Sequence, residues 1–128
     1  MNLFQAGDFI SHAGLALKWK IECDALQSEE WDCIALMIKG YLDRPFRYAE
    51  GIPRGGIALA NALNKYRTDN RHHQILVCDD VWTTGTSFKE YRNEHHPGTL
   101  RAELIKWVVF ARRPTNDGVK ALFTMPSE

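Results

Sequence analysis

No apolar run in this sequence approaches the ~18 residues needed to cross a bilayer, so no membrane span is present. The opening residues, MNLFQAGDFISHAG, lack the basic stretch and apolar block of a secretory signal, and a cytoplasmic protein is expected. Neither charge is in excess, because sixteen basic and sixteen acidic residues cancel. A nucleic-acid binder normally carries a basic surplus, so no nucleic-acid partner is expected. Cysteine is scarce, with three residues and no CxxC spacing; Cys23, Cys33 and Cys78 are expected to be reduced and buried. The chain has no Gly-Lys pair, which removes the P-loop, and no GxGxxG to open a dinucleotide-binding helix. It also has no internal repeat, low-complexity stretch or linker.

What remains is a 128-residue chain, 45% hydrophobic and 25% charged, of ordinary globular character and one-domain length. Leu17, Trp19, Ile21 and Cys23 alternate with Lys18, Lys20 and Glu22, a period of two that predicts a half-buried strand. In SEEWDCIALMIKGYL, residues Trp31, Ile34, Ala35, Ile38, Tyr41 and Leu42 form one helical stripe, with Ser28 as the expected N-cap. FRYAEGI reads as a short strand, GIPRGG as a tight turn and ALANALNKY as an alanine-rich helix. QILVCDDV is the strongest strand, apolar on both faces, as in parallel sheets covered on both sides. A helix over SFKEYRNEHH, then strands at KWVVFA and VKALFTM, complete an alternation that predicts an open, mostly parallel α/β sheet flanked by helices.

In such sheets ligands bind at the carboxyl ends of the strands. Two loops there carry unusual chemistry. Asp79 and Asp80 end the strongest strand; being adjacent, they cannot both enter the core, and their carboxylates suit ribose hydroxyls or hydrated Mg²⁺. An aspartyl phosphatase would place its carboxylates two apart. Thr83, Thr84, Gly85, Thr86 and Ser87 follow, and Ser87 with Glu90 makes an S-x-x-E capping box expected to start the next helix. The free N–H groups and positive dipole end of a helix start suit a phosphate monoester. The second loop, Gly51-Ile52-Pro53-Arg54-Gly55-Gly56, lets backbone amides approach an anion, which Arg54 can grip with two hydrogen bonds.

Together these loops resemble the type I phosphoribosyltransferase family. QILVCDDVWTTGTS looks like its phosphoribosyl pyrophosphate (PRPP) signature, and GIPRGGIALANAL looks like its pyrophosphate loop and following helix. VVFARRPTNDGVKALFTM resembles the family's last strands, and GDFISHAGLALKWKIECDAL the hood of orotate phosphoribosyltransferases. The resemblance implies a single domain with a reduced hood over residues 1–27 and a core over 28–128. It implies Asp79 and Asp80 on the ribose hydroxyls and, through them or water, on Mg²⁺. It places Thr83, Thr84, Gly85, Thr86 and Ser87 around the 5′-phosphate, Arg54 and Gly55 on the pyrophosphate, and His12 and Trp19 near the base. The implied partners are PRPP or a nucleoside 5′-monophosphate and a nitrogenous base, with a homodimer as the possible assembly. The implied activity is phosphoribosyl transfer, an orotate-like pyrimidine being favoured; the alternative is a non-catalytic PRPP or nucleotide sensor.

The sequence also departs from that family. Only RTDNRHH joins the helix ending near Tyr66 to the strand starting at Gln74, where the family has a long flexible loop that closes over the pyrophosphate. Trp82 replaces a smaller aliphatic residue and is expected to narrow the pocket mouth. The pairs His72-His73 and His95-His96 are expected to be solvated, since adjacent side chains diverge. Trp19, Trp31 and Trp107 are expected in the core. Arg112-Arg113 suits either a phosphate or base contact or a surface ion pair.

Overall fold

The apolar run at 74–82 does become the centre of a parallel sheet. The computed structural model describes residues 1–10, 14, 16–99 and 103–126. In chain order they form β1 (Phe4–Ile10), β2 (Ala16–Ile21), α1 (Ser28–Tyr41), β3 (Phe46–Gly51), α2 (Ile57–Leu63), β4 (Gln74–Trp82), α3 (Thr86–His95), β5 (Leu104–Ala111) and β6 (Val119–Thr124). β3, β4, β5 and β6 lie side by side in that order, every pair parallel. The open α/β architecture predicted from the alternation is therefore present.

Two apolar layers sandwich the sheet. On one face α1 and α2 lay Trp31, Ile34, Ile38, Leu59 and Leu63 against Phe46, Leu76, Cys78, Trp107 and Val109. On the other, α3 sets Phe88 against Val77, Trp82, Val108 and Val119. Ile38, Leu59, Leu63 and Leu76 are completely buried, each contributing about 1.5–3 kcal/mol by leaving water.

The expected strand at 17–23 ends at Ile21, and Cys23 opens a 3₁₀ turn over Cys23–Ala25. That strand lies outside the parallel sheet, paired antiparallel with β1 in a separate hairpin. The hairpin is anchored by Phe4, edge-on to Phe110 with ring centroids 6.1 Å apart, and by Arg112. The Arg112 guanidinium lies 3.5 Å above the Trp19 ring centroid, and its Nη1 donates to the Trp19 carbonyl at 2.6 Å. Arg112 thus holds the hairpin, and Trp19 is half-buried beneath it rather than in the core.

Three further expectations are corrected. Gln27 rather than Ser28 caps α1, its N–H donating to Glu30 Oε1 at 3.0 Å; the glutamate three residues on fixes the box one residue earlier. Tyr41, at the frayed end of the α1 stripe, is 70% exposed, although its ring still stacks on Trp107. All three cysteines are free, but Cys33 is exposed on the outer side of α1. Burial pushes the Cys23 and Cys78 thiols up, so both stay protonated.

The RTDNRHH connection sits where the parallel strands begin. Thr68 N and Asp69 N donate to the Phe46 and Arg47 carbonyls at 3.1 and 2.9 Å. Thr68 Oγ1 donates to the Phe46 carbonyl at 2.9 Å and pairs with His73 Nδ1 at 2.7 Å. His73 is therefore half-buried and bonded rather than simply solvated, while His72 is exposed. No described helix is long and apolar enough to cross a membrane.

Candidate functional site

Leu76, Val77 and Cys78 drive β4 through the core and deliver Asp79 and Asp80 to its carboxyl end. Only one of the two carboxylates stays near solvent: Asp79 is 6% exposed and Asp80 is half-buried. Asp79 Oδ1 accepts from Asp80 N and Asp80 Oδ1 from Val81 N, each at 2.8 Å. Burial, and then the charge on Asp80, raise the Asp79 carboxyl far above the usual carboxylate range, so it holds its proton at neutral pH.

The glycine-rich loop is stitched to the same strand. Ile52 N donates to the Cys78 carbonyl at 2.9 Å, Cys78 Sγ donates to the Gly56 carbonyl at 3.8 Å, and Gly56 N returns to Ile52 O at 2.9 Å. A Cβ on Gly55 would run into the Asp80 carboxylate, and one on Gly51 into the Gly56 carbonyl. Glycine is therefore required so that this backbone can lie against the acidic pair. The Pro53–Arg54 peptide is cis.

The third wall is the start of α3. Gly85, with φ at +86°, is the N-cap, and the helix begins at Thr86. This corrects the expected capping box: Ser87 lies inside the first turn, because the chain reverses through the left-handed conformation that glycine adopts most cheaply. Neither a capping side chain nor an acidic residue occupies that first turn, so its amides and dipole face the loop. The Thr84 and Thr86 hydroxyls pair at 2.8 Å. Trp82 lines the cleft from beneath the loop. It is 3% exposed, packs on Phe88 with ring centroids 6.1 Å apart, and lies so close beneath Gly85 that no Cβ would fit there.

These walls enclose a cleft of about 720 Å³, within the ~300–1,000 Å³ usual for small-molecule sites. It brings together Gly55, Asp79, Asp80 and all of residues 83–87. Arg54 is exposed on its loop, outside the cleft wall; Trp19 is engaged by Arg112; His12 lies outside the described residues. The cleft also has walls that no sequence motif announced, from Tyr91, Glu94 and His95 along α3. Behind them Glu50 Oε1 accepts from Tyr91 OH at 3.1 Å and lies 2.6 Å from His96 Nε2. Burial, reinforced by the Glu50 charge, pushes the Tyr91 hydroxyl up to about 12. His96 is therefore half-buried and engaged, contrary to the solvated surface expected, and only the i, i+4 spacing of Tyr91 and His95 hinted at this face.

No cluster of three or more potential metal-binding side chains occurs among the described residues. The Asp80 carboxylate beside several hydroxyls nevertheless fits Mg²⁺, which keeps several waters and takes few protein ligands.

No protein-family model and no curated protein matches the sequence. Solved structures do. The orotate phosphoribosyltransferase of Aeropyrum pernix superposes with a TM-score of 0.69 at 18% identity, over 95% of this chain and 88% of that one. The Mycobacterium tuberculosis orotate phosphoribosyltransferase gives 0.66 at 13%, over 94% and 88%. The UMP synthase of Leishmania donovani gives 0.71 at 15%, over 96% of this chain and 34% of that one. At these identities the likeness is one of architecture, and the architecture is the type I phosphoribosyltransferase fold.

Proposed function

We propose that this chain binds PRPP or a nucleoside 5′-monophosphate in the cleft and transfers phosphoribosyl between PRPP and a nitrogenous base, an orotate-like pyrimidine being favoured. The observation that carries this reading is the meeting of Gly55, the acidic pair and the uncapped start of α3 on one cleft. The 5′-phosphate sits in residues 83–87, taking hydrogen bonds from the first-turn amides and from the Thr84 and Thr86 hydroxyls. Asp79 and Asp80 hold the ribose hydroxyls, the protonated Asp79 able to donate as well as accept. Gly55, lying against Asp80, offers its backbone to the pyrophosphate, with Arg54 reaching in from outside.

In the reaction a base nitrogen bonds to the anomeric carbon as the carbon–oxygen bond to pyrophosphate breaks, through a cation-like state. The chain's contribution is to position the groups and to hold charge. Asp79 and Asp80, through the ribose hydroxyls or water, would hold Mg²⁺, which neutralises the leaving pyrophosphate when bound. In this reading residues 1–27 form a reduced hood on a core of 28–128, in one cytoplasmic domain.

One observation favours a second reading, a non-catalytic PRPP or nucleotide sensor. The 67–73 connection, in the chain position where the family has its closing loop, is bonded to the start of β3 and is not a wall of the cleft. A pyrophosphate that stays wet is held more weakly at each contact. Calorimetry with PRPP and Mg²⁺, followed by steady-state assays with orotate, uracil, adenine, guanine and hypoxanthine, separates the readings. Binding with turnover supports the transferase, binding alone supports the sensor, and no binding of any phosphoribosyl compound overturns both.

A further inference from the structure

Trp82, Gly85, Phe88 and Tyr91 border a second cavity besides the cleft, of about 150 Å³, between α3 and the sheet. Val77, Leu104 and Val119 form its apolar part, and its charged walls are Lys89, Arg92, Lys106 and Asp117. We propose that this cavity binds a small divalent anion, of the class of phosphate, sulfate or a short dicarboxylate, between Lys89, Arg92 and Lys106.

Lys106 is the central observation. It is only 7% exposed, on a strand whose neighbours Leu104 and Val108 belong to the apolar layer beneath α3. Lysine is rarely buried so fully and usually extends its ammonium into water. Here the ammonium is held inward, Nζ donating to the Asp117 carbonyl at 2.6 Å. Asp117 and Gly118 both take left-handed backbone, with φ of 56° and 77°, in the turn that presents that carbonyl. Lys89 and Arg92, three residues apart on α3, stand on the same side of the helix and add two cations. The described walls thus carry three basic side chains beside a single carboxylate, Asp117. The volume equals about five waters at ~30 Å³ each, enough for a tetrahedral oxyanion and too small for a nucleotide. A planar guanidinium beside two ammoniums, in a partly apolar wall, is a strong setting for charge-assisted hydrogen bonds.

The site is independent of the phosphoribosyl reading, and its test separates the two. Inorganic phosphate is titrated calorimetrically into the full chain carrying Thr84→Leu, which obstructs the 83–87 loop, with and without Lys89→Gln and Arg92→Gln. Both added changes lie at the α3 wall of the cavity and leave the Lys106 anchor in place. The Thr84→Leu protein is expected to bind one phosphate, and the added changes to weaken that binding by about tenfold or more. Chloride at matched ionic strength should not compete. A folded Thr84→Leu protein that binds no phosphate, or equal affinity with and without the charge removals, overturns the proposal.

Discussion

Where its strands begin, the parallel sheet is tied to the 67–73 connection. Thr68 and Asp69 donate to the carbonyls of Phe46 and Arg47, and the Thr68 hydroxyl pairs with His73. Where the strands finish, at Gly51 and Trp82, the chain instead turns away through glycines, with Gly55 against the Asp80 carboxylate and an uncapped helix start facing a cleft. The sheet therefore starts beside a hydrogen-bonded connection and a cavity of about 280 Å³, and finishes at the larger, glycine-lined cleft. Polar groups that satisfy one another stabilise, whereas polar groups aimed at a common space bind. A carboxyl as buried as Asp79 costs stability, because it must hold its proton where an exposed one would ionise.

Five substitutions test that contrast. The largest effect is expected at the cleft end from Gly55→Val, whose side chain must displace Asp80 or the loop. Stability should fall by about 2–3 kcal/mol, as for other overpacked sites, with PRPP binding lost; urea denaturation and calorimetry measure both. Unchanged binding would show that the Gly55–Asp80 contact does not shape the site. Next comes Thr84→Leu, expected to weaken ribose 5-phosphate binding by at least about tenfold while the fold persists, through the loss of one or two hydrogen bonds to a charged group. Equal affinity in the variant would place the phosphate elsewhere.

Asp79→Asn should act in opposite directions on stability and binding. The folded protein binds the Asp79 proton more tightly than the unfolded chain does. Stability is therefore whole in acid and declines as pH rises through the ordinary carboxylate range toward Asp79's raised value. Asparagine removes that decline, so the variant should be the more stable protein at pH 8, by about 1–2 kcal/mol, and should melt with a flatter pH profile. The double change Asp79→Asn and Asp80→Asn should at the same time weaken PRPP binding in Mg²⁺ by about 1–3 kcal/mol. A wild-type melting profile that rises from pH 5 to 8 contradicts the burial argument. The smallest effect belongs to the end where the strands begin, where Thr68→Val removes hydroxyl bonds to Phe46 and His73. It should cost about 1 kcal/mol of stability and leave every ligand affinity unchanged.

Much of the cleft end was legible in the sequence. The apolar run before two aspartates fixed β4 and the place of the acidic pair, and the glycines of GIPRGG announced a backbone that must come close to something. The cap of α3 was not legible, because Ser87 and Glu90 satisfy a spacing rule while Gly85 meets a conformational need two residues earlier. β1 was missed because FQAGDFI has no period of two and a glycine at its centre; it is a strand only because β2 pairs with it. The settings of Trp82 and His96 were missed for a related reason. Burial of a tryptophan under a glycine, or of a histidine on a distant Glu50, depends on tertiary neighbours that no local pattern encodes.

Asn64, just past the end of α2, has a consequence for how copies of the chain behave in crowded solution. Its side-chain amide donates to the Ala49 carbonyl at 3.0 Å and accepts from Ala49 N at 2.7 Å, on the outer strand of the sheet. One amide thus imitates the backbone of a missing neighbour and fills the slot where another molecule's strand could pair. Edge strands left open in this way seed self-association. Asn64 therefore works as a guard against aggregation, and its loss should shorten shelf life at high concentration more than it lowers the melting temperature.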